Sequence, residues 1–299
     1  MNRDDRTRNL LEKLREFGDA HNQRNWPARQ PDYVATLGLT AEDVPHLIAV
    51  ARDWAERKDW PEDVEDLSVY AAVHAWRALA QLGAEAAIAP LIEMLPALDD
   101  LEDDWFLEEF PQVFALIGPA SFEPLAAALA DAGARVYVGA CVAHGLCELA
   151  LRHPATREPA IEALRESLRH CLENPEDLNG FVISYLLKIG ATEAAEVIER
   201  AYAADRVDTQ IVGNWATVRH ELGVPGLGLV PEEVATRRPP PLFPFLEKWR
   251  DSLPGGAATV AVESIPAGTS RPAADLANRK RLRAKRKRER QNRKRGRRR

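Results

Sequence analysis

The chain has 299 residues, 45% of them hydrophobic and 29% charged, which is enough apolar matter for one or two globular domains. Its net charge of −6 hides an uneven distribution: residues 278–299 hold 15 Lys/Arg against one acid, Glu289, a net of +14 that leaves −20 on residues 1–277. Three cysteines, Cys141, Cys147 and Cys171, form no CxxC and cannot all pair, which argues against a disulfide scaffold and for a reducing compartment. The amino terminus carries no apolar leader-like run, and no stretch approaches the ~20 residues that span a bilayer, so a soluble, cytoplasmic protein is expected.

In chain order, residues 7–17 read as a short amphipathic helix through Leu10, Leu11, Leu14 and Phe17, ended by Gly18. A polar, Pro-containing stretch follows. Thr40 then opens a helix whose Val44, Leu47, Ile48 and Ala51 share a face, and Thr40 with Asp43 resembles a capping box with Asp in place of Glu. This helix is expected to cover the end of what comes next.

Five stretches repeat one pattern: residues 70–82, 105–117, 137–149, 177–189 and 210–222. Each carries apolar residues at its second, sixth, ninth and thirteenth places, which fall on one side of a helix with 3.6 residues per turn. The column runs Ala71/Ala75/Ala78/Leu82, Phe106/Phe110/Val113/Ile117, Val138/Val142/Leu146/Leu149 (Leu146 standing in for Gly145), Leu178/Val182/Tyr185/Ile189 and Ile211/Trp215/Val218/Leu222. The starts are 35, 32, 40 and 33 residues apart, the period of a two-helix repeat. Short turns at Gly83, Gly118-Pro119, His153-Pro154 and Gly190 lead into second helices. Their stripes include Leu91 and Leu95, Leu125 and Leu129, Ile161, Leu164, Leu168 and Leu172, then Val197 and Ile198, with Pro90 expected to kink the first of them or set its start. The fifth unit is expected to keep a first helix ending at Gly223 and to lack a second.

Leu82-Gly83-Ala84-Glu85-Ala86-Ala87-Ile88-Ala89-Pro90-Leu91 and Ile117-Gly118-Pro119-Ala120-Ser121-Phe122-Glu123-Pro124-Leu125 resemble the joint of HEAT-like repeats, including those grouped with the phycobilisome lyases. Pro45-His46-Leu47-Ile48, Val73-His74-Ala75-Trp76-Arg77-Ala78-Leu79 and Ala204-Asp205-Arg206-Val207-Asp208 resemble a group of uncharacterised bacterial HEAT-like proteins. The resemblance covers roughly residues 33–228 and implies an all-α fold, an α-solenoid of HEAT-like helix pairs that serves as a protein-binding scaffold. Some relatives end in a Cys-rich zinc motif; this chain ends in arginines, so no metal or other cofactor is expected. The organisation expected is an N-terminal helix and linker over 1–32, the array over 33–228, a Pro/Gly-rich linker over 229–277 and a disordered basic tail over 278–299.

A second column, at the first, fifth, eighth and twelfth places, runs Tyr70/His74/Arg77/Gln81, Trp105/Glu109/Gln112/Leu116, Tyr137/Cys141/His144/Glu148, Asp177/Phe181/Ser184/Lys188 and Gln210/Asn214/Thr217/Glu221. Aromatic residues beside charges are typical of binding surfaces, so Tyr70, Arg77, Trp105, Glu109, Tyr137, His144 and Phe181 are candidate protein-binding residues; the alternative is that they pack between repeats. Cys141, His144 and Glu148 would form a nucleophile, base and orienter row, although side chains stacked on one straight helix rarely converge on one atom. His220-Glu221 resembles one of the His-Glu pairs of HEAT-like metal hydroxylases, which use several; a single pair cannot complete a coordination shell. An enzyme of lyase or metal-dependent hydroxylase type is the alternative to a scaffold.

Seven acids fall within residues 99–109, read as a solvated loop with favourable charge at a helix start. The second helices are acid-biased through Glu85, Glu93, Glu123, Glu162, Glu166, Glu193 and Glu196; the resemblance to HEAT-like arrays, whose second helices line the concave side, implies a negative groove and a basic protein partner. Past residue 229, Leu242, Phe243, Phe245, Leu246 and Trp249 are an apolar group able to clip onto the array, and residues 254–274 read as linker. Arg279, Lys280, Arg281, Arg283, Lys285, Arg286, Lys287, Arg288, Arg290, Arg293, Lys294, Arg295, Arg297, Arg298 and Arg299 are the candidate nucleic-acid-binding residues. With no aromatic among them to stack on bases, they are expected to hold RNA, DNA or a ribosome through phosphates, with little sequence preference and strong salt dependence.

Overall fold

The computed structural model describes residues 3–20, 26–56, 68–133 and 135–224; among them every regular element is helical. The chain divides into two units, Met1–Ser252 and Leu253–Arg299, and the described residues belong to the first. The linker over 229–277, the apolar group at 242–249 and the basic tail lie outside the described residues.

At the amino end, α1 (Arg3–Arg15), α2 (Tyr33–Leu37) and α3 (Val44–Ala55) pack on α4 (Ser68–Gln81). The Thr40/Asp43 capping box forms and opens a 3-10 turn, Ala41–Asp43, that runs into α3. The other helices are α5 (Ile88–Asp100), α6 (Trp105–Ile117), α7 (Phe122–Ala130), α8 (Val136–Arg152), α9 (Arg157–Arg169), α10 (Glu176–Ile189), α11 (Ala195–Ala203), α12 (Thr209–Val212) and α13 (Trp215–Glu221).

Two rows emerge from who touches whom. In row A, α4 meets α6, α6 meets α8, α8 meets α10 and α10 meets α12; in row B, α3 meets α5, then α7, α9, α11 and α13 follow in turn. This is the stacking of an α-solenoid, each unit burying an edge that it could not bury alone. Row A takes the apolar column: Ala71, Ala75, Phe106, Phe110, Val142, Leu149, Leu178 and Val182 are all buried.

The joints repeat as the sequence indicates. Each passes through one 3-10 turn, at Glu85–Ala87, Pro119–Ser121, Pro154–Thr156 and Thr192–Ala194. At two of them a hydroxyl caps the preceding helix, Ser121 Oγ donating to Phe114 O (2.9 Å) and Thr156 Oγ1 to Leu149 O (2.9 Å). Pro90 sets a start and does not kink a middle: it is the third residue of α5, where a missing N–H leaves no intrahelical bond unmade.

Three expectations change. The fifth first-helix is broken at Gly213-Asn214, because Gly213 sits at φ 88°, Tyr202 Oη donates to its carbonyl (2.7 Å) and the Asn214 side chain caps Thr217 N (3.0 Å). The half before the break, α12, ends row A, and the half after it, α13, joins row B against α11. Leu172 is not part of the α9 stripe: the helix stops at Arg169, the turn points Cys171 inward and leaves Leu172 69% exposed. Gly145, for which Leu146 was substituted in the apolar column, keeps its own place: a Cβ there would lie 3.1 Å from Leu125 Cδ1, so α7 and α8 approach where no side chain intervenes.

Candidate functional site

The second column faces the neighbouring helices of row A. Arg77, Glu109, His144 and Phe181 are 1%, 4%, 1% and 4% exposed, which corrects the reading of a solvent-facing row at these four places. The reason is the width of the buried face. A row A helix has neighbours before it, after it and in row B, so α8 is buried without interruption from Val138 to Ala150. Tyr70, Trp105 and Tyr137, at the first places, are half-buried, and the Tyr70 and Trp105 rings meet edge to face at 6.3 Å. Burial and the nearby Asp19 push the Tyr70 hydroxyl up to about 12.

Each junction along row A carries its own polar contact. Before α4 comes a strap formed by residues 17–20 and 26–33. Tyr33 Oη donates to His74 Nδ1 (2.7 Å) while His74 Nε2 donates to Gly18 O (3.0 Å), a neutral tautomer that uses both ring nitrogens. Burial, with the Arg77 charge beside it, brings His74 down to about 4. Gln81 closes the strap by accepting from Tyr33 N (2.9 Å) and donating to Pro31 O (2.7 Å).

Between α4 and α6, Glu109 receives two neighbours. Trp76 Nε1 donates to Glu109 Oε2 at 2.8 Å and Arg77 Nε donates to the same oxygen at 2.9 Å, with Arg77 Nη2 on Oε1 completing a bidentate pair. The Trp26 ring lies under the guanidinium, 5.3 Å from its carbon. Between α6 and α8 the contact is neutral, the Cys141 thiol donating to Phe106 O (3.5 Å).

Between α8 and α10 lies the second buried ionic group. Glu148 Oε1 accepts from Lys188 Nζ (2.5 Å) and from His144 Nε2 (3.2 Å), and the His144 ring stacks on Tyr185 at 5.0 Å and 8°. Burial acting alone would raise the Glu148 carboxyl; the hydrogen bonds and charges of His144 and Lys188 outweigh it and hold the group at about 2. His144 is brought down to about 4 by burial, so at neutral pH it is an uncharged donor and Lys188 supplies the balancing charge. After α10, Asn179 Nδ2 donates to Arg206 O (2.7 Å) and Cys171 O (2.9 Å).

Chemically, this arrangement holds neighbouring helices together. Cys141 is fully buried and donates to a backbone carbonyl, and burial pushes its thiol up, away from the thiolate a nucleophile needs. Glu148, the orienter of the row read from sequence, is occupied by Lys188. Among the described residues no group of three or more His, Cys, Asp or Glu is placed to hold a metal ion, and His220 is exposed at the end of α13.

The acidic stretch at 99–109 is not a solvated loop throughout. Asp103 is 1% exposed, accepting from Trp54 Nε1 (2.6 Å) and from Trp105 N (2.7 Å) at the start of α6. Asp99 and Asp100 meet Arg135 at 3.4 and 3.3 Å. On row B, five of the seven singled-out glutamates have an arginine counterpart: Glu93 with Arg52, Glu193 with Arg157, Glu162 with Arg165 and Arg169, Glu166 with Arg169, and Glu196 with Arg200. The acid bias of that row is therefore locally compensated, with Glu85 and Glu123 also exposed.

Sequence reasoning named Lys188 and Tyr185 without joining them to Glu148, and missed Tyr33, Asp103 and Asn179 as partners. One signal was present: the twelfth places of successive first helices read Glu148 then Lys188, opposite charges that meet when the helices stack.

Residues 21–220 match the model of a family described as "Protein of unknown function (DUF1186)", a span from the strap to the last turn of α13. No curated protein and no solved structure matches the chain. Among the described residues no helix is long and apolar enough to cross a membrane.

Proposed function

The chain belongs to the DUF1186 family, and from that premise we propose that it is a non-enzymatic interaction scaffold, in which the HEAT-like helical array binds another protein and the tail from Arg279 to Arg299 tethers it to nucleic acid or ribosomes. The observation that carries the reading is the charge split: 15 cationic side chains against one acid in residues 278–299, joined to a body of opposite sign. Such a run releases counterions from a phosphate backbone and binds it with little regard to sequence. Support for the scaffold half comes from the burial and hydrogen bonding of Cys141, His144 and Glu148, which leaves the outer faces of the helices as the working surface. Tyr70, Trp105 and Tyr137, each in the first turn of its row A helix, are half-buried, and they are the aromatic residues of the second column that a partner would meet.

The test compares RNA and DNA binding by the whole chain and by a form ending at Ala277, from low to physiological salt. The whole chain is expected to bind with an affinity that falls steeply as salt rises, and the shortened form to bind at least tenfold more weakly. Equal affinity at low salt overturns the tether. Co-purification with the intact and shortened forms separates protein partners, retained by both, from nucleic acid, retained by the intact chain alone.

A further inference from the structure

We propose that the buried polar contacts of row A specify which helix pair stacks on which, so that the order of the repeats in space is set by side-chain complementarity as well as by chain connectivity. The apolar columns alone discriminate poorly. Apart from Tyr185 and Trp215 they are built of Ala, Val, Leu, Ile and Phe at the same four places, and cores tolerate many exchanges among such residues where the total volume is kept. A helix pair could therefore meet the wrong neighbour during folding, a characteristic failure of repeat arrays.

The polar contacts differ from junction to junction. The strap meets α4 through a neutral hydroxyl and imidazole, α4 meets α6 through a carboxylate with a guanidinium and an indole, and α6 meets α8 through a thiol on a carbonyl. At the next junction α8 meets α10 through a carboxylate with an ammonium and an imidazole, and after it α10 is tied to the residues before α12 through a carboxamide on a carbonyl. Skipping a unit breaks these matches. With α8 stacked directly on α4, the fifth place opposite Arg77 would hold Cys141 in place of Glu109, leaving a buried guanidinium against a thiol. With α10 stacked on α6, Lys188 at the twelfth place would face Leu116 in place of Glu148.

Net stabilisation does not account for these groups, since a buried ion pair is roughly matched by well-packed apolar residues of similar volume. Mispairing, in contrast, strands a charge in a place from which water is excluded, and that asymmetry supplies discrimination.

The test neutralises both ionic junctions in the full chain while keeping their shape: Arg77→Met with Glu109→Gln, and Glu148→Gln with Lys188→Met. The glutamines retain acceptors for Trp76 and His144. Helical circular dichroism and the melting midpoint are expected to stay near the parent's, while pulsed hydrogen exchange under native conditions loses its single isotopic envelope for peptides of α4, α6, α8 and α10 and shows two. Single envelopes with the parent's denaturant slope overturn the proposal, because complementarity would then be dispensable for uniqueness. If the fourfold variant does not fold, the two-residue variant at each junction is read by the same pair of outcomes.

Discussion

Rows A and B are both built of stacked helices, yet a charge means different things in each. In row A, Arg77 and Glu109 are 1% and 6% exposed at the side chain and bind each other bidentately; in row B, Glu162 and Arg169 are 50% and 40% exposed and also pair within hydrogen-bond distance, at 2.7 Å. Distance alone would rank the two contacts together. Exposure separates them, since water competes for every hydrogen bond of the outer pair and screens its charges, while the inner pair has only its partners.

The sharpest break of this comparison is Glu109→Ala. It strands the Arg77 guanidinium and the Trp76 N–H inside the array, and a loss of about 3–5 kcal/mol is expected, measured by urea denaturation of the helical signal. Protonation tests the same difference without mutation. His74 and His144 titrate at about 4 in the fold against 6.5 when free, so the unfolded chain takes up their protons first as acid is added. Stability is then expected to fall as pH drops from 6.5 towards 4, by on the order of 3 kcal/mol for each histidine, and His74→Gln should remove its share of the slope. Below that window Glu148 takes over. Its carboxyl is held at about 2 against 4.5, so its contribution is complete above pH 4.5 and is lost as pH falls through 2.

Smaller effects probe packing. Gly139→Ala puts a Cβ 2.8 Å from Leu178 Cδ1 and 3.3 Å from the Ala132 Cβ, inside the α8 and α10 contact. Alanine is the better helix former by about 1 kcal/mol, yet a net loss of about 1–2 kcal/mol is expected in thermal or urea unfolding, because both Leu178 methyls must move in a full core. At the bottom of the scale, Glu162→Ala on row B should change stability by no more than about 0.5 kcal/mol, despite removing contacts to two arginines. A cost for Glu162→Ala near that of Glu109→Ala would dissolve the distinction between the rows.

Much of the architecture was legible in the residues themselves. The four-place apolar column located α4, α6, α8 and α10 to within a few residues, and Gly83, Gly118-Pro119, His153-Pro154 and Gly190 marked the joints. Period alone found these because burial of one helix face is a local pattern. It misread the fifth unit, where the apolar spacing runs on through Gly213 and Asn214, two weak helix formers that mark a break held by a hydroxyl from α11. It could not choose between the two readings of the second column, a binding surface or packing between repeats: four of its seven singled-out residues are buried. The joining of Glu109 to Arg77, 32 positions apart, leaves no trace in either helix taken singly.

What the amino-acid sequence determined by itself, then, is the helical period, the four joints between paired helices and the opposed charges of body and tail, since each depends on neighbours within a turn or on simple counting. Only the tertiary structure decided which polar side chains lie inside. Whether Arg77, Glu148 or Cys141 meets water depends on how many helices surround it, and that number is set by stacking between units, not by any property of the residue or its local segment.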